Sequence, residues 1–254
     1  MTPNTPSESF YVLGGQFAID LPGARVVFTT RRGGCSSGPY ESLNLGRLTD
    51  DEPGAVQRNR QALEAELGVQ LSFVRQVHGA HVCEVTADSA ARTGSADPGE
   101  LTLADGQFTA ERGLAPAVLT ADCLPIAIAG DGAVAMLHGG WRGLQAGVIA
   151  AGVQALRELG AAGTLTAAIG PGAGPCCYEA GGEVHAAFAS HPDEVHRGRN
   201  LDLKAIARHE LDRAGVERID DIAICTICSD PSLLFSHRRD RGVTGRQAGV
   251  AWLS

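Results

Sequence analysis

The sequence lacks any run of about 18 or more uninterrupted apolar residues, which excludes a membrane-spanning helix. Its first ten residues, MTPNTPSESF, contain no basic segment and no apolar stretch, so we expect no secretory signal peptide. Positive charge is also scarce, because 21 Lys and Arg stand against 29 Asp and Glu for a net charge of -8. This balance disfavours nucleic acid and anionic membranes as partners, so we expect a small-molecule substrate.

No internal repeat, low-complexity tract or linker divides the 254 residues. A hydrophobic content of 44% is enough to bury a core, so we expect one domain over residues 1–254, with a flexible start over residues 1–10. We expect a monomer or a weak oligomer. The seven cysteines are odd in number and lie in a chain large enough to fold without disulfides, which predicts reduced thiols in the cytoplasm.

Apolar runs and turn residues alternate along the chain in a mixed order, which predicts an α/β class of the mixed α+β type. The runs 115–120, 124–130 and 133–138 are nearly continuous, as expected of strands buried on both faces. Residues 87–116 are polar and predict loops. The remaining pattern predicts helices over 52–68, 143–160, 181–190 and 201–215, and a last strand over 218–227 before a basic tail.

Two turn residues, Asp131 and Gly132, stand between two of these apolar runs and predict a β-hairpin. A two-residue loop places His138 opposite Pro125 on one face. Cys123 lies two residues further along, on the same face, at a backbone separation from His138 of about 7 to 8 Å. The side chains of Cys123 and His138 are therefore predicted to reach one metal ion.

A second pair of turn residues, Gly79 and Ala80, predicts a turn that places His78 opposite His81. Either histidine could be the third ligand. A thiolate and two imidazoles suit zinc at about 2.0 to 2.3 Å, and three protein ligands leave a fourth position open. An open fourth position is typical of a catalytic zinc site.

The same residues fit a different chemistry, in which Cys123 is a thiolate nucleophile and His138 is its base. In that hypothesis Asp122 or Asn44 orients the imidazole, and the enzyme hydrolyses an amide or an ester. If the predicted strand already includes residue 122, side-chain alternation places Asp122 on the face opposite Cys123. This geometry favours the metal hypothesis.

Two further cysteine pairs have a less specific pattern. Cys225-x-x-Cys228 is compatible with half of a structural zinc site or with a redox pair, but a structural site needs a second pair. A redox pair of this kind usually opens a helix, whereas this motif lies on or just after a predicted strand. We therefore expect these two cysteines to have neither a redox nor a metal-binding role. Adjacent Cys176 and Cys177 cannot bridge each other comfortably, and we expect them to be buried.

The chain contains seven sequence blocks in order: TTRRGGCSSGPYESLNLG, NRQAL, RQVHG, TADCLPI, HGGWRG, IGPGAGPCCYEAG and FSHRRDRGVTGRQAGVAWL. Together they resemble the YfiH-like family, also called the laccase-domain or multicopper polyphenol oxidase family. The resemblance runs from about Phe28 to Leu253 and is highly specific, because so many blocks occur in the family order.

The resemblance implies purine nucleoside phosphorylase activity on adenosine, inosine and S-methyl-5'-thioadenosine, together with adenosine deaminase activity. It implies a zinc site with His78, Cys123 and His138 as ligands, since His81 falls at a variable family position. The implied fold is one compact domain of mixed β-sheets packed face to face and flanked by helices, similar to cytotoxic-necrotizing-factor-type cysteine hydrolases. A second implied role is the editing of peptidoglycan precursors by a Cys/His amidohydrolase.

The oxidase name implies several copper ions held largely by histidines, commonly in His-x-His pairs. The chain has eight histidines and no His-x-His, so polyphenol oxidation is disfavoured. A Cys/His2 site would still bind copper in vitro, because copper has the higher intrinsic affinity. Departures from the family pattern occur at Cys35, Cys228 and His237, the last of which bears on substrate detail.

Arginines near the carboxyl end suit an anionic substrate group. For phosphorolysis we expect Arg31, Arg238 and Arg239 to bind phosphate near the ribose anomeric carbon, and the alternative for the carboxyl-end arginines is a solvated turn. Asn44 is expected to hold a ribose hydroxyl. For deamination we expect zinc to lower the pKa of bound water towards about 7 for attack at purine C6. We expect one carboxylate to carry the proton, and the candidates, which the sequence does not rank, are Asp122, Glu179 and Glu183.

Overall fold

The computed structural model describes residues 8–93 and 99–254. In that part of the chain, strands form two six-stranded sheets and one two-stranded sheet. The expected flexible start falls mostly on residues 1–7, which lie outside the described residues. Phe10, at the end of that segment, is buried and packs against Phe28 with 6.3 Å between ring centroids.

The first sheet contains, in spatial order, β1 (Tyr11–Leu13), β2 (Gln16–Leu21), β3 (Ala24–Phe28), β14 (Gln247–Leu253), β7 (Leu114–Thr120) and β4 (Gln70–Ser72). Strand β14 is antiparallel to both of its neighbours, whereas β4 is parallel to β7. The last strand therefore lies inside the sheet and is buried along its whole length. The basic tail expected from the sequence thus leads into a central strand.

The second sheet contains, in spatial order, β13 (Val216–Asp221), β10 (Leu165–Ile169), β8 (Leu124–Gly130), β9 (Ala133–Gly139), β6 (Gly106–Thr109) and β5 (Val82–Glu84). Strands β8 and β9 form the predicted hairpin, and His138 pairs with Pro125, which confirms the predicted register. A separate small sheet pairs β11 (His196–Arg197) with β12 (Asn200–Leu201).

The described residues contain α1 (Pro53–Leu67), α2 (Ala87–Thr93), α3 (Trp141–Gln145), α4 (Val148–Glu158), α5 (Gly182–Ala187) and α6 (Leu203–Arg213). Helix α1 begins where the Glu52 side chain accepts the Gly54 N–H at 2.7 Å, and it ends at Gly68, whose φ is 69°. The prediction of one helix over 143–160 is wrong, because Gly147 has a φ of 88° and separates α3 from α4. No helix in the described ranges is both long and apolar enough to cross a bilayer.

Side chains along β8 and β9 alternate between two cores. Ile126 and Leu137 pack with residues of α4 and α6, whereas Ala127 and Met136 pack against the first sheet. Helix α1 covers the outer face of the first sheet through Leu63. The layers therefore follow the order helix, sheet, sheet, helices, which confirms the expected mixed sheets packed face to face and flanked by helices.

Three other expectations about secondary structure are corrected. The turn predicted at Gly79 and Ala80 does not join a hairpin, because β4 and β5 belong to different sheets. Residues 87–116 contain α2 and β6 as well as loops. The strand predicted over 218–227 ends at Asp221, so the Cys225-x-x-Cys228 motif lies beyond it.

Candidate metal centre

One end of the second sheet gathers residues from neighbouring strands. His138 lies near the end of β9, Cys123 immediately precedes β8, and Asp105 immediately precedes β6. Because β8 and β6 are both antiparallel to β9, these three positions are neighbours in space. The loop after β4 brings His78 to the same place.

His78, Cys123 and His138 form what we call the His/Cys/His group, and their ligand atoms all lie within 4.8 Å of one another. The two imidazole rings are 4.8 Å apart between centroids and are inclined at 74°. A Cβ at Gly140 would lie 3.0 Å from His78 Cδ2 and 3.2 Å from Cys123 Sγ, so a larger residue would crowd the group. Two nitrogens and one thiolate sulfur are a donor set that Zn²⁺ accepts, and the residues therefore fit a metal ion.

A buried carboxylate that sequence reasoning missed holds this group together. Asp105 has no exposed surface, and its Oδ1 lies 2.8 Å from His138 Nδ1 and accepts the His78 N–H at 2.8 Å. Its Oδ2 accepts the N–H groups of Gly79 at 2.7 Å and Val77 at 3.1 Å. Because His138 Nδ1 faces a carboxylate, its Nε2 is left to bind a metal ion.

The protonation of the group follows from these contacts. Burial opposes ionisation of Cys123, but the charge and hydrogen bond of His138, with a further contribution from His78, outweigh it and lower the pKa of the thiol to about 6. Burial likewise opposes the charged form of His138, but Cys123 and Asp105 raise the pKa of the imidazole to about 9. The protein chain alone therefore favours a thiolate beside an imidazolium between about pH 6 and pH 9.

A cavity of about 430 Å³ opens at the His/Cys/His group, whose three residues line it. Tyr178 and several aliphatic side chains supply apolar surface, and Asp122 is the carboxylate among the described lining residues. Five arginines concentrate positive charge there: Arg47, Arg60, Arg75, Arg238 and Arg246. The cavity thus combines a candidate metal site with groups that suit an anionic substrate.

Asp122 occupies a special backbone position, with a φ of 99°. Its Oδ1 accepts hydrogen bonds from Thr226 Oγ1 at 2.6 Å and from Ser236 Oγ at 2.7 Å. Its Oδ2 accepts the N–H of Arg238 at 2.7 Å. The strand alternation considered in the sequence therefore does not apply to Asp122, because β8 begins only at Leu124.

A family model described as multi-copper polyphenol oxidoreductase laccase matches residues 25–254. The chain belongs to this family. Among curated relatives, a protein named purine nucleoside phosphorylase SCO2081 from Streptomyces coelicolor is 40% identical over 242 residues, which cover 91% of this chain and 96% of the relative. Purine nucleoside phosphorylase YfiH from Escherichia coli is 36% identical over 242 residues, covering 91% and 94% of the two chains.

Two solved structures share the fold of this chain. The hypothetical protein YfiH of Bacillus licheniformis matches with a TM-score of 0.90 and 29% identity, over 98% of this chain and 100% of that one. YlmD from Geobacillus stearothermophilus matches with a TM-score of 0.89 and 32% identity, over 97% and 99%. These likenesses agree with the mixed α+β architecture described above.

In this laccase-family chain, only one of the four predicted substrate contacts lines the cavity, namely Arg238. Arg31 instead donates to the Pro231 carbonyl at 2.8 Å, and Arg239 donates to the Thr226 carbonyl at 2.9 Å. These guanidinium groups therefore donate to backbone carbonyls of the segment 226–234. This differs from the expectation that three arginines bind phosphate directly, because adjacent Arg238 and Arg239 point to different surroundings.

Asn44 is also outside the cavity lining and is fully buried. Its Oδ1 accepts the N–H groups of Gly46 at 3.0 Å and Arg246 at 2.8 Å, and its Nδ2 donates to Thr49 and Asp51. Gly46, Thr49 and Arg246 all line the cavity. Asn44 therefore positions lining residues, in contrast to the expected contact with a ribose hydroxyl.

Sequence reasoning missed Asp105, Arg47, Arg60 and Arg75. Asp105 lies in a stretch whose polar composition predicted loops, so no sequence signal marked it, and its place just before β6 emerges only from the structure. Arg60 belongs to the NRQAL block within α1, so a cue for it was present in the family resemblance. Arg75 is the first residue of the RQVHG block, so the family resemblance offered the same signal for it. Arg47 lies outside regular elements and just beyond the first block, and no comparable signal marks it.

Proposed function

We propose that the protein is a zinc-dependent purine nucleoside phosphorylase acting on adenosine, inosine and S-methyl-5'-thioadenosine. The observation that carries the proposal is that the His/Cys/His group opens into a cavity lined by five arginines and by an aromatic ring. Relatives that carry the phosphorylase name support the same activity. Zinc is the proposed ion because its catalytic sites use three protein ligands of these types.

Arg60 is the proposed centre of the phosphate subsite. Its Nε and Nη2 donate to the Leu45 carbonyl at 2.9 and 2.7 Å, while its buried Nη1 has no hydrogen-bond partner among the described residues. A buried donor without an acceptor costs about 1 to 3 kcal/mol, and a phosphate oxygen would satisfy it. Burial, followed by repulsion from Arg47, lowers the pKa of Arg60 to about 9, so the group still carries charge at neutral pH.

The nucleoside is proposed to bind along the apolar wall. Tyr178, Leu101 and Leu119 line the cavity and offer surface for a purine ring. Arg238 lies over the Tyr178 ring, 5.1 Å from its centroid, and donates to the Glu179 carbonyl at 2.6 Å. This pair holds one wall of the cavity in place beside the candidate metal ligands.

Phosphorolysis forms a bond between a phosphate oxygen and ribose C1' while the C1'–N9 bond breaks and its electron pair moves to the purine. The arginines of the cavity would orient phosphate and balance its charge during attack. His78, Cys123 and His138 would hold the zinc ion, which supplies Lewis acidity when bound. Asp105 fixes the orientation of His138 and the path of the His78 loop, so the site is organised in advance.

Adenosine deamination is the second part of the proposal, in which water replaces the C6 amino group and ammonia leaves. Of the three carboxylates expected to carry a proton, Asp122 lines the cavity, whereas Glu179 and Glu183 do not. Thr226, Ser236 and Arg238 donate hydrogen bonds to the Asp122 carboxylate and fix it at the cavity edge. Asp122→Asn is expected to abolish inosine formation from adenosine, measured by chromatography, and an unchanged rate would contradict this role.

The proposal is tested by inosine phosphorolysis at varied phosphate. Arg60→Lys removes the planar guanidinium but keeps a positive charge, and it is expected to raise the KM for phosphate by about tenfold. Arg58→Lys is the matched control, because Arg58 lies on the exposed side of the same helix and pairs with Glu52. Metal-free protein that phosphorolyses inosine at the full rate would refute the zinc-dependent mechanism.

A Cys/His amidohydrolase that edits peptidoglycan precursors is the second candidate. The Cys123 thiolate, His138 and Asp105 have the relation of nucleophile, base and orienting carboxylate. Iodoacetamide distinguishes the two candidates. Alkylation of Cys123 that added zinc blocks favours a metal ligand, whereas rapid alkylation that zinc does not change favours a nucleophile.

A further inference from the structure

Four cysteines outside the His/Cys/His group come from two distant turns. One turn, at residues 175–177, follows β10, and the other, at residues 226–228, follows β13. An isolated parallel bridge between Gly172 and Cys225 ties the two loops together, with Thr226 donating to the Gly172 carbonyl at 3.0 Å. We call the set the four-cysteine group: Cys176, Cys177, Cys225 and Cys228.

The sulfur atoms of this group have the spacing of a tetrahedral site. All four lie within 4.8 Å of one another, and Cys176 Sγ is 3.6 Å from Cys228 Sγ. Zinc–sulfur bonds of about 2.3 Å place neighbouring sulfurs about 3.8 Å apart at the corners of a tetrahedron. Small movements of exposed side chains would therefore complete the geometry, since Cys176 and Cys228 are both exposed.

The backbone around the group is shaped for sulfur. Gly174 donates its N–H to Cys225 Sγ at 3.2 Å. A Cβ at Gly174 would lie 3.3 Å from Cys176 Sγ and 3.4 Å from Cys225 Sγ, so glycine permits the close approach. Backbone N–H groups that donate to sulfur stabilise the negative charge of a thiolate, which is the form that binds a metal.

We propose that the four-cysteine group binds one Zn²⁺ ion through four thiolates, as a structural site distinct from the His/Cys/His group. Four sulfur ligands from two pairs match the closed coordination of structural zinc and leave no position for substrate. Each thiol that binds as a thiolate releases its proton to solvent. The Cys225-x-x-Cys228 motif thus has its second pair in adjacent Cys176 and Cys177.

The site would clamp one wall of the cavity. Tyr178, which lines the cavity, directly follows Cys177, and Thr226, which bonds Asp122, lies within the Cys225-x-x-Cys228 motif. A metal ion joining the two turns would restrain both residues at once. This inference stands independently of phosphorylase activity, because it concerns binding and stability of the chain alone.

The test is a zinc count by mass spectrometry on full-length protein carrying Cys123→Ala, which removes the other candidate site. The protein is purified in reducing buffer, supplied with zinc and desalted. About one zinc per chain is expected, falling to none when Cys228→Ser is added. Cys35→Ser in the same background is the matched control and should keep the full zinc content, because Cys35 lies in neither group.

A second variant and a second metal distinguish the loss of a ligand from misfolding of the protein. Cys176→Ser, at another exposed position, should also lose the zinc, while circular dichroism confirms that the fold is retained. Co²⁺ bound in place of zinc should give the visible bands of tetrahedral thiolate coordination in the Cys123→Ala protein. Zinc content that Cys228→Ser leaves unchanged, or reduced protein that takes up no zinc, would overturn the proposal. So would a Cys176–Cys228 disulfide that persists in reducing buffer.

Discussion

The two sulfur-containing groups differ in what surrounds each thiol. In the His/Cys/His group, the imidazoles outweigh burial and lower the pKa of Cys123 to about 6. In the four-cysteine group, burial, followed by a hydrogen bond with Cys228, raises the pKa of Cys177 to about 11. The first group thus favours a thiolate before any cation binds, whereas Cys177 in the second group stays protonated until a cation replaces its proton.

This difference follows from the kind and number of donors. Two histidines and one cysteine would leave the fourth coordination position of a metal ion open. The three residues line the arginine-containing cavity, so that position would face it. Four cysteines fill a tetrahedron and leave no open position. The His/Cys/His group is therefore suited to reactivity, whereas the four-cysteine group is suited to cross-linking two loops through a metal ion.

The largest expected effect separates the two groups by activity. Cys123→Ala removes a proposed ligand beside the reacting atoms, and we expect kcat/KM for inosine phosphorolysis to fall by about 1,000-fold, equivalent to about 4 kcal/mol. Cys228→Ser should change it by less than about fivefold, because its proposed role is structural. Equal losses in the two variants, measured in the same steady-state assay, would remove the distinction between the groups.

A second prediction concerns the affinity of the His/Cys/His group. Asp105→Asn removes the carboxylate that orients His138, and we expect the zinc affinity of that group to fall by about 10- to 100-fold. A titration against a competing chelator in the Cys228→Ser background would measure it. Asp131→Asn is the matched control, since it keeps the hairpin turn intact and should leave the affinity unchanged.

A third prediction uses the opposite pKa shifts of Cys123, which is lowered, and Cys177, which is raised. In metal-free protein at pH 7, Cys123 should be mostly thiolate because its pKa is lowered, whereas Cys177 should be mostly protonated because its pKa is raised. Since the pKa of Cys123 is lowered, its alkylation by iodoacetamide should slow as pH falls through about 6. Peptide mass spectrometry at several pH values would follow alkylation of both cysteines. Faster labelling of Cys177 than of Cys123 at pH 7 would contradict the prediction.

The smallest expected effect is on thermal stability. Cys228→Ser should lower the melting temperature of zinc-loaded protein by about 2 to 4 °C, as expected for about 1 kcal/mol in a chain of this size. The difference should vanish when both proteins are stripped of metal by a chelator. A difference that survives chelation would assign the stability change to packing instead of zinc.

The sequence predicted the part of the site that depends on local pairing. Asp131 and Gly132 set the hairpin register, and that register placed Cys123 and His138 at one end of the sheet. The third proposed ligand came from the family resemblance, because the residues alone left His78 and His81 open. The expected turn at Gly79 and Ala80 does not form a hairpin. His78 is instead held by Asp105, which is 27 residues away in the chain.

The four-cysteine group could not be predicted, because its two halves meet through a tertiary contact. Local pattern indicated burial for Cys176 and Cys177 and no metal role for Cys225 and Cys228. The bridge between Gly172 and Cys225 joins segments that are 53 residues apart (225 less 172), and no local periodicity encodes such a pairing. The surroundings of Arg31 and Asn44 were unpredictable for a similar reason, since their hydrogen-bond partners include distant Pro231 and Arg246.

The arginine-lined cavity also has a consequence for how fast an anion reaches it. The whole chain carries a net charge of -8, so its surface repels phosphate at long range, whereas five guanidinium groups in the cavity attract it at short range. Dissolved salt screens both effects, but it screens the long-range repulsion first, because the cavity charges act within about one Debye length of 8 to 10 Å. Phosphate capture should therefore become faster at moderate ionic strength before it slows at high ionic strength, giving the association rate a maximum.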